Sequence, residues 1–179
     1  KKKPGHIWNA TGAMLAHALV LMNIKPKYLG IARDDPKVLL EKIREGLTCD
    51  CLIITGSVSV GDLDLVPSAL RKTGAKIKFH KVAVRPGKPF LFAAKGRHRI
   101  FGLPGNPVSS FVSFILFVKP YLEEAMGLDG RVIFESGILT KDVYNESDRL
   151  SFFPARLAKK EGSLFLRPLR YGGSADLGS

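Results

Sequence analysis

The chain has 179 residues, 45% of them hydrophobic, and carries a formal net charge of +12. That composition suits a soluble globular protein of one domain or slightly more, and no run reaches the length of a membrane helix. Cys49 and Cys51, the only cysteines, argue against both a disulfide scaffold and a cysteine zinc site. They are expected to be free thiols in a reducing cytoplasm, Cys51 in a buried strand. Lys1-Lys2-Lys3-Pro4 is not followed by an apolar stretch and cleavage site, so no signal peptide is expected. The charge raises nucleic acid as a partner, but Lys and Arg are scattered, without a basic stripe interleaved with aromatics. A small polyanionic substrate or an acidic partner would also suit such a surface.

Trp8 to Leu21 carries apolar residues at helical spacing, with Asn9 or Thr11 as N-cap. Tyr28-Leu29-Gly30-Ile31-Ala32 reads as a short strand. Pro36 then opens a helix through Val38, Leu39 and Ile43. Cys51 to Thr55 is a continuous apolar run, as in a parallel strand buried on both faces. A glycine-rich loop from Gly56 to Asp64 leads to a helix ending near Lys72 and Gly74. Lys76 to Val82 is the next strand, and Arg85-Pro86-Gly87-Lys88-Pro89 a loop fixed by two prolines. Phe90 to Ala93 and Arg99 to Leu103 pair as a hairpin around Lys95-Gly96-Arg97. Gly102-Leu103-Pro104-Gly105-Asn106-Pro107 is a run of breakers before a long apolar helix from Val108 to Met126, capped by Asn106 or Ser109. Beyond Gly127 the pattern turns β-like over Arg131 to Leu139, Leu150 to Leu157 and Leu164 to Leu169, with a turn at Lys160-Glu161-Gly162.

Alternating strands and helices predict a three-layer α/β/α domain with a mainly parallel sheet over residues 1–127, followed by the start of a small all-β domain over 131–179. Ligands of such sheets bind beyond the carboxyl ends of the strands. Four suggestive loops follow strands: Arg33 to Pro36, Gly56 to Asp64, Ala83 to Pro89, and Pro104 to Ser109.

Gly56 to Gly61 has the spacing of a phosphate loop, but Asp62 stands where that motif needs Lys. An Asp beside a phosphate calls for a divalent cation, and Asp34, Asp35, Asp62 and Asp64 could gather around magnesium. Asp62 and Asp64 could equally be carboxylates facing a helix dipole. Arg85 and Lys88 are either preorganised cations for an anion or a solvated basic turn. His6, His17, His80 and His98 lie apart and complete no catalytic or metal pattern. The Phe residues from Phe111 to Phe117 belong to a core.

Together, Thr55 to Asp64, Arg85 to Pro89, Gly102 to Ser109 and Gly30 to Pro36 resemble molybdopterin molybdenumtransferases, the bacterial MoeA proteins and the E domain of gephyrin. The match spans about residues 5–127 with four motifs in the same order. The resemblance implies insertion of molybdate into adenylylated molybdopterin, with release of AMP and dependence on magnesium. It implies Asp34 and Asp64 as catalytic acids, with Asp62 beside them at the metal. It also implies Arg85, Lys88, Ser109, Arg156 and Ser174 around molybdate, Lys81 on the pterin phosphate side, and Gly56, Ser57, Ser59, Gly61, Pro104 and Asn106 lining the substrate. A cytoplasmic homodimer is implied, without membrane or nucleic acid. Two departures stand out: Gly56-Ser57 replaces the usual Gly-Gly, and Asn9-Ala10-Thr11 replaces an Asp-Ser-Asn type loop. The family's first, central strand with its Gly-Asp-Glu loop has no counterpart here, so the chain resembles a C-terminal fragment.

The adenylyltransferase of the same pathway shares the α/β fold. The appended β segment and the Arg-Pro-Gly-Lys-Pro loop favour the molybdenumtransferase instead. A non-catalytic molybdopterin-binding or scaffold module is the reading from another class. The retained Asp34 and Asp64 argue against it.

Overall fold

The computed structural model describes residues 9–32, 35–58 and 65–169. Helix α1 spans Ala10–Leu21, and the Asn9 side chain caps it by accepting from the Gly12 N–H at 3.0 Å. Helix α2 spans Pro36–Gly46, with Pro36 at its first position and Asp35 accepting from the N–H groups of Lys37 and Val38. Strand β1 is Cys51–Thr55, α3 is Leu65–Lys72 and β2 is Lys76–His80. A two-residue β3, Val84–Arg85, precedes the hairpin of β4, Leu91–Lys95, and β5, His98–Leu103. Helix α4, Pro107–Ser113, runs through a π-helical turn at Phe114–Val118 into α5, Lys119–Ala125. The long apolar helix read from the sequence is therefore one rod with a wide turn in its middle.

The main sheet has the order β1-β5-β4-β2. β1 and β5 pair in parallel, while β4 is antiparallel to both β5 and β2, so only β4 is reversed among the four strands. Side chains alternate across it, as the strand pleat requires. Leu52, Leu91, Ala93 and Ile100 enter one core with Leu39, Ile43, Val66 and Leu70 of α2 and α3. Phe101 and Leu103 enter a second core with Leu15, Phe114, Val118 and Leu122 of α1 and the α4–α5 rod. Helices thus cover both faces, and the three-layer expectation is borne out. Gly102 is glycine for lack of room: a Cβ there would lie 2.8 Å from Val58 and 3.1 Å from Leu91.

One expected strand is absent. Residues 28–32 form no ladder, although they run beside α2. Lys27 pairs with Glu45 at 2.9 Å, and the Lys42 ammonium donates to the Leu29 carbonyl. With no chain alongside to complete its backbone hydrogen bonds, an extended segment is not yet a strand.

After α5 come β6, Ile138–Leu139, β7, Leu150–Ser151, β8, Ala155–Lys160, and β9, Ser163–Pro168. β8 and β9 form a hairpin whose turn residues Glu161 and Gly162 both have positive φ, 48° and 79°, matching the twist that a two-residue turn needs. β6 pairs in parallel with β9, and β7 pairs in parallel with β3, tying this region to the α/β unit. No described helix is long and apolar enough to cross a membrane.

Cys49 and Cys51 are free. Burial, aided by the negative charge of Asp50, pushes the Cys51 thiol from 9.0 up to about 12. A raised value in the folded state favours the neutral thiol. Its contribution to stability is complete below the unfolded value and is lost as pH rises from there through about 12. Since thiolate is the reactive form, Cys51 should react with iodoacetamide at pH 8 about 100- to 1,000-fold more slowly in the native chain than in urea. Peptide mass spectrometry over a labelling time course measures this.

Candidate functional site

The parallel pairing ends at Thr55 opposite Leu103, so the loops after β1 and β5 leave the sheet side by side. The Gly56 N–H still donates to the Leu103 carbonyl at 3.0 Å. Beyond that bond the two backbones touch. A Cβ on Gly105 would stand 3.4 Å from the Gly56 Cα, and one on Gly56 would stand 3.9 Å from the Gly105 Cα. Gly56 has φ 82° and the following Ser57 has φ 49°. Ser57 therefore adopts the left-handed conformation that glycine takes freely, and it is exposed.

The loop after β5 is built by its own side chains. Asn106 caps α4, its Oδ1 accepting from the Ser109 N–H at 3.1 Å and the Ser109 hydroxyl at 3.3 Å. The buried Ser110 hydroxyl donates to the Pro104 carbonyl. Thr11, in the first turn of α1, donates to the Gly105 carbonyl at 3.0 Å. This brings the start of α1 to the same edge of the sheet. Free N–H groups and the positive end of each helix dipole therefore point toward this edge.

The cationic loop reaches the site through Gly87. Gly87 is buried, with φ 126°, and a Cβ on it would lie 3.0 Å from the Ser113 hydroxyl and 3.7 Å from the Ser109 carbonyl. Residues 85–88 therefore lie against α4, with Arg85 and Lys88 themselves exposed. The loop is closed by the Lys88 carbonyl, which accepts from the N–H groups of Val82 at 3.0 Å and Phe90 at 2.9 Å. The Arg85–Pro86 peptide is cis. Outside support comes from the β-rich region: Phe152 N–H donates to the Arg85 carbonyl at 2.7 Å, and Leu150 N–H to the Ala83 carbonyl at 3.1 Å.

The structure thus brings Gly56, Pro104, Asn106 and Ser109 together, with Ser57 next to Gly56, and lays the Arg85–Lys88 loop against Ser109. Lys81, exposed at φ 88°, follows β2 at the same edge but two strand positions from β5. Arg156 is exposed on β8 opposite Arg167, and no hydrogen bond or ion pair among the described residues ties it to the loops. Asp34, Ser59, Gly61, Asp62, Asp64 and Ser174 lie outside the described residues. Among the described residues no group of three or more metal-ligating side chains gathers, and Asp35 is engaged in capping α2. The donor set of Asp34, Asp62 and Asp64 is all carboxylate oxygen, which is the ligand chemistry magnesium takes.

Two contributors escaped the sequence reading. Thr11 is 5% exposed, and its role is visible only once α1 meets Gly105; a polar residue on an apolar helix face was the available signal. Ser113 is fully buried, and its hydroxyl has no hydrogen-bond partner among the described residues. It faces Gly87, 26 positions away along the chain, and no local pattern could reveal it. His80 ties two segments together, with Nε2 2.7 Å from the Val58 carbonyl.

Residues 2–124 match the sequence family described as "Probable molybdopterin binding domain". A molybdopterin molybdenumtransferase of Bacillus subtilis is 34% identical over 179 residues, covering 99% of this chain and 42% of that protein. The molybdenum cofactor synthesis protein cinnamon of Drosophila melanogaster is 34% identical over 166 residues, covering 90% of this chain and 28% of its own length. Among solved structures, a molybdopterin biosynthesis MoeA protein from Pyrococcus horikoshii superposes with a TM-score of 0.78 at 30% identity, covering 96% of this chain and 41% of that one. The chain therefore spans less than half the length of these relatives.

A buried hydroxyl without a partner costs about 1–3 kcal/mol relative to a satisfied one. Replacing it with a methyl should relieve that cost. Ser113→Ala is expected to raise the melting temperature by about 2–4 °C. Differential scanning calorimetry of the variant beside the parent checks this.

Proposed function

The chain belongs to the molybdopterin-binding domain family, and on that premise we propose that it is the cofactor-handling part of a molybdopterin molybdenumtransferase acting in molybdenum cofactor biosynthesis. The observation that carries this reading is the convergence at one sheet edge of the Gly56 turn, the Asn106-capped helix start and the Arg85–Lys88 loop. A tetrahedral oxyanion needs positive charge and hydrogen-bond donors that are already in place. Arg85 and Lys88 supply charge, and the Ser109 hydroxyl and the N–H groups opening α4 supply donors. Molybdate is the anion assigned to them. Arg156 and Ser174 join this site from the β-rich region.

The other half of the reaction is removal of AMP from adenylylated molybdopterin. Gly56, Ser57, Ser59 and Gly61 are the residues assigned to the substrate's phosphates. A glycine at position 56 permits the near approach of backbone to ligand that a side chain would block. Pro104 and Asn106 border the same substrate, and Lys81 faces its terminal phosphate. Asp34, Asp62 and Asp64 would hold magnesium, with Asp34 and Asp64 as the catalytic acids. Magnesium held there would offset phosphate charge at the scissile phosphoanhydride. The protein's own part is to bind the substrate and to orient that bond. The intact protein acts as a homodimer in the cytoplasm, a placement that accords with its two free cysteines.

Titration calorimetry with molybdate tests the anion site. Arg85→Ala combined with Lys88→Ala should weaken binding at least tenfold, about 1.4 kcal/mol. Unchanged affinity would remove the cation loop from the site. In the intact protein, Asp64→Asn should cut AMP release at least 100-fold while molybdopterin binding stays within a few-fold. A parallel loss of binding would make Asp64 a binding group instead of a catalytic one.

A further inference from the structure

The inner face of α4 carries three buried serines, Ser109, Ser110 and Ser113. Two of them have partners in the turn ahead of the helix: Ser109 donates to Asn106 Oδ1, and Ser110 to the Pro104 carbonyl. A helical serine without such a partner ordinarily donates to the carbonyl three or four residues back. Ser113 does neither. Its hydroxyl bonds to no described group, although the residue is 0% exposed. It lies instead against Gly87 of the cation loop, where a Cβ would stand 3.0 Å from the hydroxyl oxygen.

The loop is anchored at both ends and bare in its middle. At one end the Ala83 and Arg85 carbonyls accept from Leu150 and Phe152. At the other the Lys88 carbonyl accepts from Val82 and Phe90. Between them Pro86 has no N–H to give. The Gly87 N–H, and the carbonyls of Pro86 and Gly87, make no hydrogen bond among the described residues. Gly87 is nevertheless buried, and buried backbone groups are nearly always paired. An unpaired hydroxyl and an unpaired peptide therefore meet inside the protein. A hydroxyl both donates and accepts, so each can satisfy the other. Gly87 has φ 126°, a region open to glycine, so its peptide can turn without strain.

We propose that Ser113 is a positioning residue for the cation loop. When an oxyanion draws Arg85 and Lys88 inward, the Gly87 N–H donates to the Ser113 hydroxyl and the loop is pinned on α4. This rests on the reading of Arg85 and Lys88 as the anion's cations. Ser113 follows Ser109 by four positions, so the two share a helix face. The Ser109 carbonyl accordingly borders the same Gly87 position, 3.7 Å from its Cβ site. A loop pinned there by Gly87 sets Arg85 and Lys88 on either side of Ser109. Charge alone attracts any anion, whereas fixed charges and donors select a tetrahedral one. Because the hydroxyl is unpaired in the empty site and paired in the occupied one, it favours the occupied state by that difference. The substitution that relieves the empty site then weakens the occupied one.

Titration calorimetry with molybdate and thermal melts of the intact protein test this. Ser113→Ala should bind molybdate about tenfold more weakly, while its anion-free melting temperature matches or exceeds the parent's. Ser113→Thr, which keeps the hydroxyl, should stay within about threefold of the parent. A merely structural role would move stability and affinity in the same direction. In hydrogen exchange, the Gly87 amide should slow about tenfold or more when molybdate saturates the parent, and should not respond in Ser113→Ala. Parent-like affinity in Ser113→Ala, or a Gly87 amide as protected before molybdate as after, would overturn the proposal and leave the anion site standing. Affinity unchanged by Arg85→Ala with Lys88→Ala would overturn the anion site and this inference with it. Should Ser113→Thr not fold, the Gly87 amide in the parent and in Ser113→Ala decides alone.

Discussion

The rung between Thr55 and Leu103 is the constraint on which the site depends. Two parallel strands ending at the same height release their loops as neighbours, and at that spacing a side chain on either Gly56 or Gly105 would already be in contact with the other's backbone. The two glycines meet there backbone to backbone. Everything else at the edge is arranged around this pair: the Asn106 cap, the Ser110 hydroxyl on Pro104 and the Thr11 hydroxyl on Gly105. A slip of one residue in the β1–β5 register would invert every side chain of one strand and part the two glycines.

That register is held from both faces. Ile100 and Leu52 are locked into the α2–α3 core, Phe101 and Leu103 into the α1–α5 core. Rigidity of the turn is therefore a product of burial far larger than the turn itself, to which the bonds of Asn106, Ser110 and Thr11 add. The same double burial explains why β1 reads as an unbroken apolar run, and why its open edge is not a surface suited to water.

The helices, the hairpin and the breaker-rich turn were legible because their signals are local. Asn9, Pro36 and Asn106 mark helix starts within a few residues, and Lys95-Gly96-Arg97 marks a reversal. Residues 28–32 misled because apolar alternation reports the wish to be a strand and says nothing of whether a partner exists. The loops could be nominated from Gly and Pro spacing, but not their meeting: Gly56 with Gly105, or Gly87 with Ser113, is a consequence of sheet order. Thr11 was read only as a cap candidate, and its bond to Gly105 went unseen for the same reason. The acidic residues assigned to the proposed chemistry, Asp34, Asp62 and Asp64, were named from loop spacing and resemblance and lie outside the described residues.

The pairing of β3 with β7 carries a consequence for where this molecule can be divided. The sequence pattern changes near residue 130, after the last described helix. The backbone of Ala83 to Arg85 is nevertheless clasped by Leu150 and Phe152 from the far side of that boundary. A piece cut at the boundary would keep both cores intact while leaving the cation-bearing loop with a bare edge. The change of sequence pattern and the limit of what the cation loop needs for support are different lines, bridged by the Leu150–Ala83 and Phe152–Arg85 backbone bonds.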